Sequence, residues 1–413
     1  MEEKNKKQKQ KTQERGITLI ALVITIVILI ILATVTLNVV LGEGGLVQRA
    51  QQAKELTEQA AIDEQESLNS LMSEYANIMA GGPSVPPEPE IPTMEDAKPN
   101  PNEDGPKFDN TTLIKDDLNN EVKIPGGFHL DKDSGTKVEE GIVIEDDSGN
   151  QFVWIPVGEY NVSTTINSSG KLTNELTRRE WAEEDIIAEP TPVSADSVIE
   201  TSGFGISSIC YGEGDSRSVA KDQIEGFKNS STTNKGFYIG RYEQGEENVC
   251  KAGVNSYNTT RDNAKAQAEE MYSGNAYITS ELISSYAWDT ALNFICQTNE
   301  EGYKLATTTD SAYGNINTGN RIQTGQYKVD GAQSDKYSNI YDLLGNYFEW
   351  TTEYAGNSEV QTRASSPISS GPCVTRGGDA WGGTAAIRLG RDATDNLNRE
   401  TSFRIQLYIN PES

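Results

Sequence analysis

The stretch from Ile17 to Leu41, ITLIALVITIVILIILATVTLNVVL, runs for 25 residues without a charged side chain. No other feature constrains the chain as strongly. A run of ~20 apolar residues is long enough to cross a bilayer as a helix, and a slightly longer one spans with some tilt. It is also too long for the apolar core of a secretory signal, typically ~7–15 residues, and it lacks the small-residue cleavage site of one. The 16 residues before it carry six Lys/Arg against three Glu. By the positive-inside rule that flank belongs in the cytoplasm. The expectation is a transmembrane helix over 17–41, with the rest of the chain on the extracytoplasmic side, at the cell surface or on a pilus.

The junction is informative too. A basic, hydrophilic leader ends in Gly16, and GITLIALVITIVILIILA follows at once. This resembles the leader of type IV prepilins, which a membrane peptidase cuts after the glycine. The resemblance implies processing at Gly16, a mature chain starting at Ile17, and prepilin peptidase and other pilin subunits as partners alongside the membrane. It departs from the pattern in beginning with Ile rather than Phe, and in placing Ala21 where the fifth mature residue is usually Glu. A minor, tip or membrane-retained subunit fits these departures better than a major pilin does.

Beyond Gly45 the chain is rich in strong helix formers. Leu46, Ala50, Ala53, Leu56, Ala60, Ile62, Leu68, Leu71, Met72, Tyr75 and Met79 recur at roughly three- and four-residue steps, which predicts an amphipathic helix over 42–80. Residues 81–106, GGPSVPPEPEIPTMEDAKPNPNEDGP, are dense in Pro and acidic side chains. Such a segment cannot bury a core and reads as a disordered spacer. From Lys107 the texture changes to short strands and turns. Residues 142–157 read as a hairpin around Asp146-Asp147-Ser148-Gly149-Asn150, GFYIGRYE (236–243) as a strand, and 262–272 and 282–300 as helices. The predicted class is α+β: a long N-terminal transmembrane and amphipathic helix, a linker, and a globular domain over 107–413.

Charge excludes one class of partner. With 62 acidic against 35 basic residues, a formal net of −27, the chain is not suited to nucleic acid, whose binding requires clustered Lys/Arg and counterion release. A single histidine, His129, leaves no multi-imidazole metal site. Cys210, Cys250, Cys296 and Cys373 never form CxxC, so a zinc ribbon or thioredoxin motif is out. Outside the membrane these four allow up to two disulfides, and Cys296, within ALNFICQ, is equally suited to be a buried thiol. Trp154, Trp288 and Trp350 read as core.

Four segments in order, FVWIPVGEY (152–160), GFYIGRYEQG (236–245), NIYDLLGNYFEWTTEY (339–354) and VTRGGDAWGG…SFRIQLY (374–408), resemble the formylglycine-generating enzyme (sulfatase-modifying factor) family, whose fold is a variant of the C-type lectin fold. The resemblance covers about 142–408, its most specific parts being GN-x-x-EW and RGG…FR. Asp342 and Glu349, seven residues apart across the Gly345-Asn346 turn, would supply two carboxylates to a hard cation. The resemblance implies a calcium site there, with the carbonyls of Gly345 and Tyr347 as further ligands, and Asn315 in the region of a second site. The family's oxidase activity requires two cysteines that bind copper(I), a soft ion suited to thiolates. At the matching positions stand Gly382 and Ile387. No copper is expected, and fold-level analogy does not carry the enzymatic function across.

The chain therefore reads as a ligand-binding protein, an adhesin or minor pilin with a non-catalytic lectin-like domain. The Gly-, Ala-, Asp- and Asn-rich segment after RGG would supply the contact surface. Asp379, Trp381, Thr384, Asp392 and Asn396 are the candidate contacts, Trp381 offering the apolar area if it is exposed rather than core. The ligand stays open among glycan, peptide and protein. Alternatives are an anchored enzyme of the formylglycine-generating type with altered chemistry, and the variable protein of a diversity-generating retroelement, a class to which related domains belong.

Overall fold

Two strands, Gly236–Gly240 and Gln151–Pro156, are buried along almost their whole length on both faces. Their near-continuous apolar sequences, GFYIG and FVWIP, explain this, because a strand covered on both sides has no polar alternation to display. They pair antiparallel, Phe237 opposite Ile155 and Tyr238 opposite Trp154, at the centre of a six-stranded sheet. Its spatial order is Ile278–Leu282, Ile405–Ile409, Gly236–Gly240, Gln151–Pro156, Val143–Asp146 and Phe128–Leu130. A second sheet has the order Leu389–Arg391, Cys373–Arg376, Phe348–Tyr354 and Thr401–Phe403. The computed structural model describes residues 90–181, 191–193, 216–299, 302–326, 336–354, 373–391 and 401–411. All but Glu90 belong to one of the chain's two units, Ile91–Ser413.

The chain passes from one sheet to the other at Arg404. Thr401–Phe403 lies parallel to Phe348–Tyr354, with Trp350 opposite Phe403. One residue later Ile405–Ile409 is already an inner strand of the larger sheet. At that crossover Arg404 donates from Nη1 to Gly240 O (2.8 Å) and from Nη2 to Tyr341 O (2.9 Å), and its guanidinium pairs with Glu349. The helix Ser285–Thr298 is capped by Ser284, whose hydroxyl accepts from the Ala287 amide at 3.1 Å. It is buried from Ser285 to Cys296. Trp154, Trp288 and Trp350 all lie in the core, Trp288 donating to Ala385 O and Trp350 to Thr259 O.

The hairpin forms between Val143–Asp146 and Gln151–Pro156, and the two later helices occupy Arg261–Glu270 and Ser285–Thr298. Part of the expected spacer is structured. Met94–Ala97 is a short helix closed by a reciprocal Thr93–Asp96 cap, with Met94 and Ala97 buried. Local capping there supplies what the Pro-rich composition hides. Cys250 and Cys296 are buried free thiols, Cys373 is buried, and Cys210 lies outside the described residues.

The expected class needs correction. The described residues are chiefly sheet with few helices, and no helix among them is long and apolar enough to cross a membrane. The longest, Ser216–Thr233, carries Arg217, Lys221, Asp222, Glu225 and Lys228. Ser285–Thr298 is apolar but has only 14 residues, short of the ~20 a bilayer requires. An α+β chain led by a long transmembrane helix gives way to a sheet-dominated one, and the membrane-anchored, extracytoplasmic localisation is withdrawn with it. The Gly16–Ile17 junction, the 17–41 run and the 42–80 stretch lie outside the described residues.

Candidate functional site

Three loops meet beside the second sheet, stitched together by backbone hydrogen bonds. Asn346 N donates to Asn315 O (3.0 Å), Gly345 N to Gly377 O (2.7 Å), and Thr318 N and Gly319 N both to Ala380 O (3.0 and 2.9 Å). Asn346 is the central fastener: its Oδ1 accepts from Asn315 Nδ2 and from the Ile322 amide, each at 3.0 Å. Gly345 has φ +96°, and a Cβ there would stand 2.3 Å from Asn315 O. Only glycine allows both that dihedral and that approach.

Beneath these loops Glu243 anchors the assembly. Its carboxylate accepts from Asn346 Nδ2 (2.8 Å), the Tyr347 amide (3.0 Å) and the Ser256 hydroxyl. Glu243, Glu349 and Arg404 are all fully buried. Arg404 donates to both oxygens of Glu349, at 3.1 and 2.7 Å. Burial, followed by the nearby Glu349 charge, pushes the Glu243 carboxyl up to about 8. Burial pushes Glu349 up as well, against the pull of Arg404.

At the surface Trp381 is 55% exposed. Asp379 fixes its backbone, Oδ1 accepting from the amides of Trp381 (3.0 Å) and Gly382 (3.1 Å) in a side-chain-closed turn. The Arg321 guanidinium carbon lies 4.1 Å from the Trp381 ring centre and 4.6 Å from that of Tyr347, so one cation stacks on two aromatic faces. Burial pushes the Arg321 pKa down. Arg321 is the residue that sequence reasoning missed. Nothing in its local pattern, TGNRIQ, distinguishes it from a solvated arginine.

The predicted site residues separate into distinct roles. Trp381 is exposed, and Thr384 is half-buried beside it in the chain. Asp379 is half-buried, with Oδ1 committed to the turn. Asp392 and Asn396 lie outside the described residues. Asn315 is buried and bridges two loops. Of the expected calcium ligands, Gly345 and Tyr347 sit in the central loop, Tyr347 presenting its amide to Glu243. Asp342 is buried with φ +58°. Glu349 does not fit the part, because a divalent cation at its carboxylate would face the Arg404 guanidinium already bound there. Gly382 is half-buried and Ile387 buried, neither side chain being able to ligate copper.

Two further clusters were not legible in sequence. Asp289 accepts from Arg178 Nε (2.8 Å), the Arg179 amide (3.0 Å), Trp181 Nε1 (3.2 Å) and Arg376. Glu353 accepts from Arg178, Arg388 and Ser285. Both carboxyls are held below the ordinary range because, although burial opposes it, their arginine neighbours prevail. Asp104, His129 and Glu145 form the other cluster, with ligand-type atoms within 4.8 Å of one another. The strand register sets His129 opposite Glu145.

No family model matches the chain and no curated protein matches it. Among solved structures, one described as the crystal structure of CarF is similar over 43% of this chain and 87% of its own, at 9% identity and a TM-score of 0.25. A likeness at that level carries no argument about fold or function.

Proposed function

We propose that the Ile91–Ser413 unit is a non-catalytic ligand-binding domain whose contact surface is centred on Trp381. One observation carries this reading. A large aromatic side chain is held outward by an Asp379-closed turn and an Arg321 stack rather than folded into the core. Ordering an exposed ring in advance reduces the entropic cost of using it in binding, and aromatic anchors dominate the energy of small interfaces. The resemblance of 142–408 to the formylglycine-generating domain supports a lectin-like frame. Gly382 and Ile387 at the copper positions speak against oxidation.

The test is a binding screen of the full chain against immobilised glycans, peptides and proteins, repeated with Trp381→Ala. Loss of binding with an unchanged melting temperature is expected. A variant that binds like the parent would place the surface elsewhere. Copper-dependent oxidation of a cysteine-containing sulfatase peptide would overturn the non-enzymatic reading.

A further inference from the structure

Resting on the reading of Trp381 as a contact residue, the character of its surroundings narrows the ligand. Among the described residues only Trp381 and Ile166 are large hydrophobics with substantial exposure. Stable protein interfaces bury ~1,200–2,000 Å² in total around a core enriched in aromatics, and one exposed ring beside the half-buried Tyr347, among short polar residues, does not provide such a core. Most neighbouring positions are small or neutral, and the Asp379 carboxylate has Oδ1 committed to the turn amides. Gly319 lies close enough that a Cβ on it would be 4.0 Å from Trp381 Nε1, and Asn317 Oδ1 lies 3.8 Å from the place a Cβ would take on Gly382. Asn317, Gly319 and Asn320 are exposed.

Each group has a matching chemistry. The indole N–H of Trp381 has no hydrogen-bond partner among the described residues, so it is a donor on offer at the ring's edge. Asn317 places an amide oxygen beside the same turn. Among the described residues the cation at this ring is Arg321, which lies over the rings of Trp381 and Tyr347 and has the Asp379 carboxylate as a nearby opposite charge. A chain of net charge −27 repels polyanions at long range.

An apolar ring face with neutral donors and acceptors at its rim complements a pyranose. The axial C–H groups of such a ring pack on an aromatic plane, while its hydroxyls both give and accept hydrogen bonds. We infer that the Trp381 platform binds a neutral hexopyranose unit of a glycan, its C–H face on the indole and its hydroxyls toward Asn317 and Trp381 Nε1. Gly319 and Gly382 keep the approach open, since a side chain at either would stand next to the ring or to Asn317, while Gly383 lets the turn pack against Gly378.

The experiment is affinity electrophoresis of the full-length chain in gels containing soluble cellulose, chitin and mannan derivatives, all neutral, with polygalacturonate as an acidic control. Titration with the corresponding hexasaccharides, followed by tryptophan emission, gives the affinity. The expected result is retardation by at least one neutral polymer but not by polygalacturonate, with an emission shift on titration. Trp381→Ala should weaken that affinity at least tenfold at an unchanged melting temperature, and Trp381→Phe should restore part of it. Retardation by none of the neutral polymers overturns the inference. If a Trp381-dependent ligand then proves to be a polypeptide, the surface stands and only the ligand class is wrong. If a neutral glycan binds Trp381→Ala as well as the parent, the surface itself is wrong.

Discussion

Glu349 shows how a side chain's partner decides its role. Paired carboxylates on a Gly-Asn turn suggest a cation, but both oxygens of Glu349 accept from Arg404 in a fully buried setting. Removing one partner of a buried pair leaves the other charge uncompensated, a loss of about 3–5 kcal/mol. Glu349→Gln should therefore destabilise the protein by that order in urea denaturation, equally with calcium and with chelator. A parent melting curve that moves when calcium is removed would restore the metal reading. Arg321 works at the same scale. Its stacks on Tyr347 and Trp381 are each worth ~0.5–1 kcal/mol where exposed. Arg321→Ala should leave overall stability within about 1–2 kcal/mol of the parent. It should also increase the mobility of the Trp381 ring, read as lower fluorescence anisotropy against a Trp381→Phe reference.

At the scale of elements, the loop 342–347 depends on left-handed backbone at three positions, Asp342, Gly345 and Asn346. Asn tolerates that region better than most residues and Gly best of all. At Gly345 the dihedral combines with the 2.3 Å approach to Asn315 O. Gly345→Ala should cost about 1–3 kcal/mol from backbone strain alone, with more from the clash. The three loops share hydrogen bonds, so displacing one should disturb the others. Thermal melts and ligand affinity should fall together in this variant, unlike in Trp381→Ala. The hairpin shows the opposite relation, being determined locally. Asp146 closes its own turn through Ser148 and Asn150, and Gly149 takes φ +81°.

For the whole molecule, buried carboxyls set the response to pH. Burial first, then Glu349, holds Glu243 at about 8, and burial holds Glu281 at about 7 despite hydrogen bonds from Tyr408 and Gln406. Both folded values lie above the unfolded carboxylate value of ~4.3. The folded state therefore binds the extra protons. The stability these groups contribute is complete below the unfolded value and is lost as pH rises through about 7 and about 8. The slope is at most about 1.4 kcal/mol per pH unit for each group. Asp289 and Glu353, held low by arginines, act in the reverse sense. Their contribution is present above the ordinary carboxylate range and lost as pH falls through their folded values. The melting temperature should peak under mildly acidic conditions and decline toward pH 8.5. Glu243→Gln should flatten the alkaline limb, and an unaltered limb would exclude Glu243 as its source.

The sequence by itself determined the parts whose cause is local. These include the 142–157 hairpin with its Asp-Gly turn, the helices near 262–272 and 282–300, and the apolar strands around Phe237 and Trp154. Each follows from turn chemistry or from a run of side chains needing burial, and a few neighbouring residues suffice to encode either. Tertiary structure alone decided which groups meet across loops. Arg321 reaches Tyr347 and Trp381, Glu243 comes to lie beside Glu349, and His129 is set against Asp104. The physical reason is that turns rich in Gly and Asn accept many backbone paths. Their final course is selected by long-range hydrogen bonds such as those of Asn346, which no periodicity or spacing records.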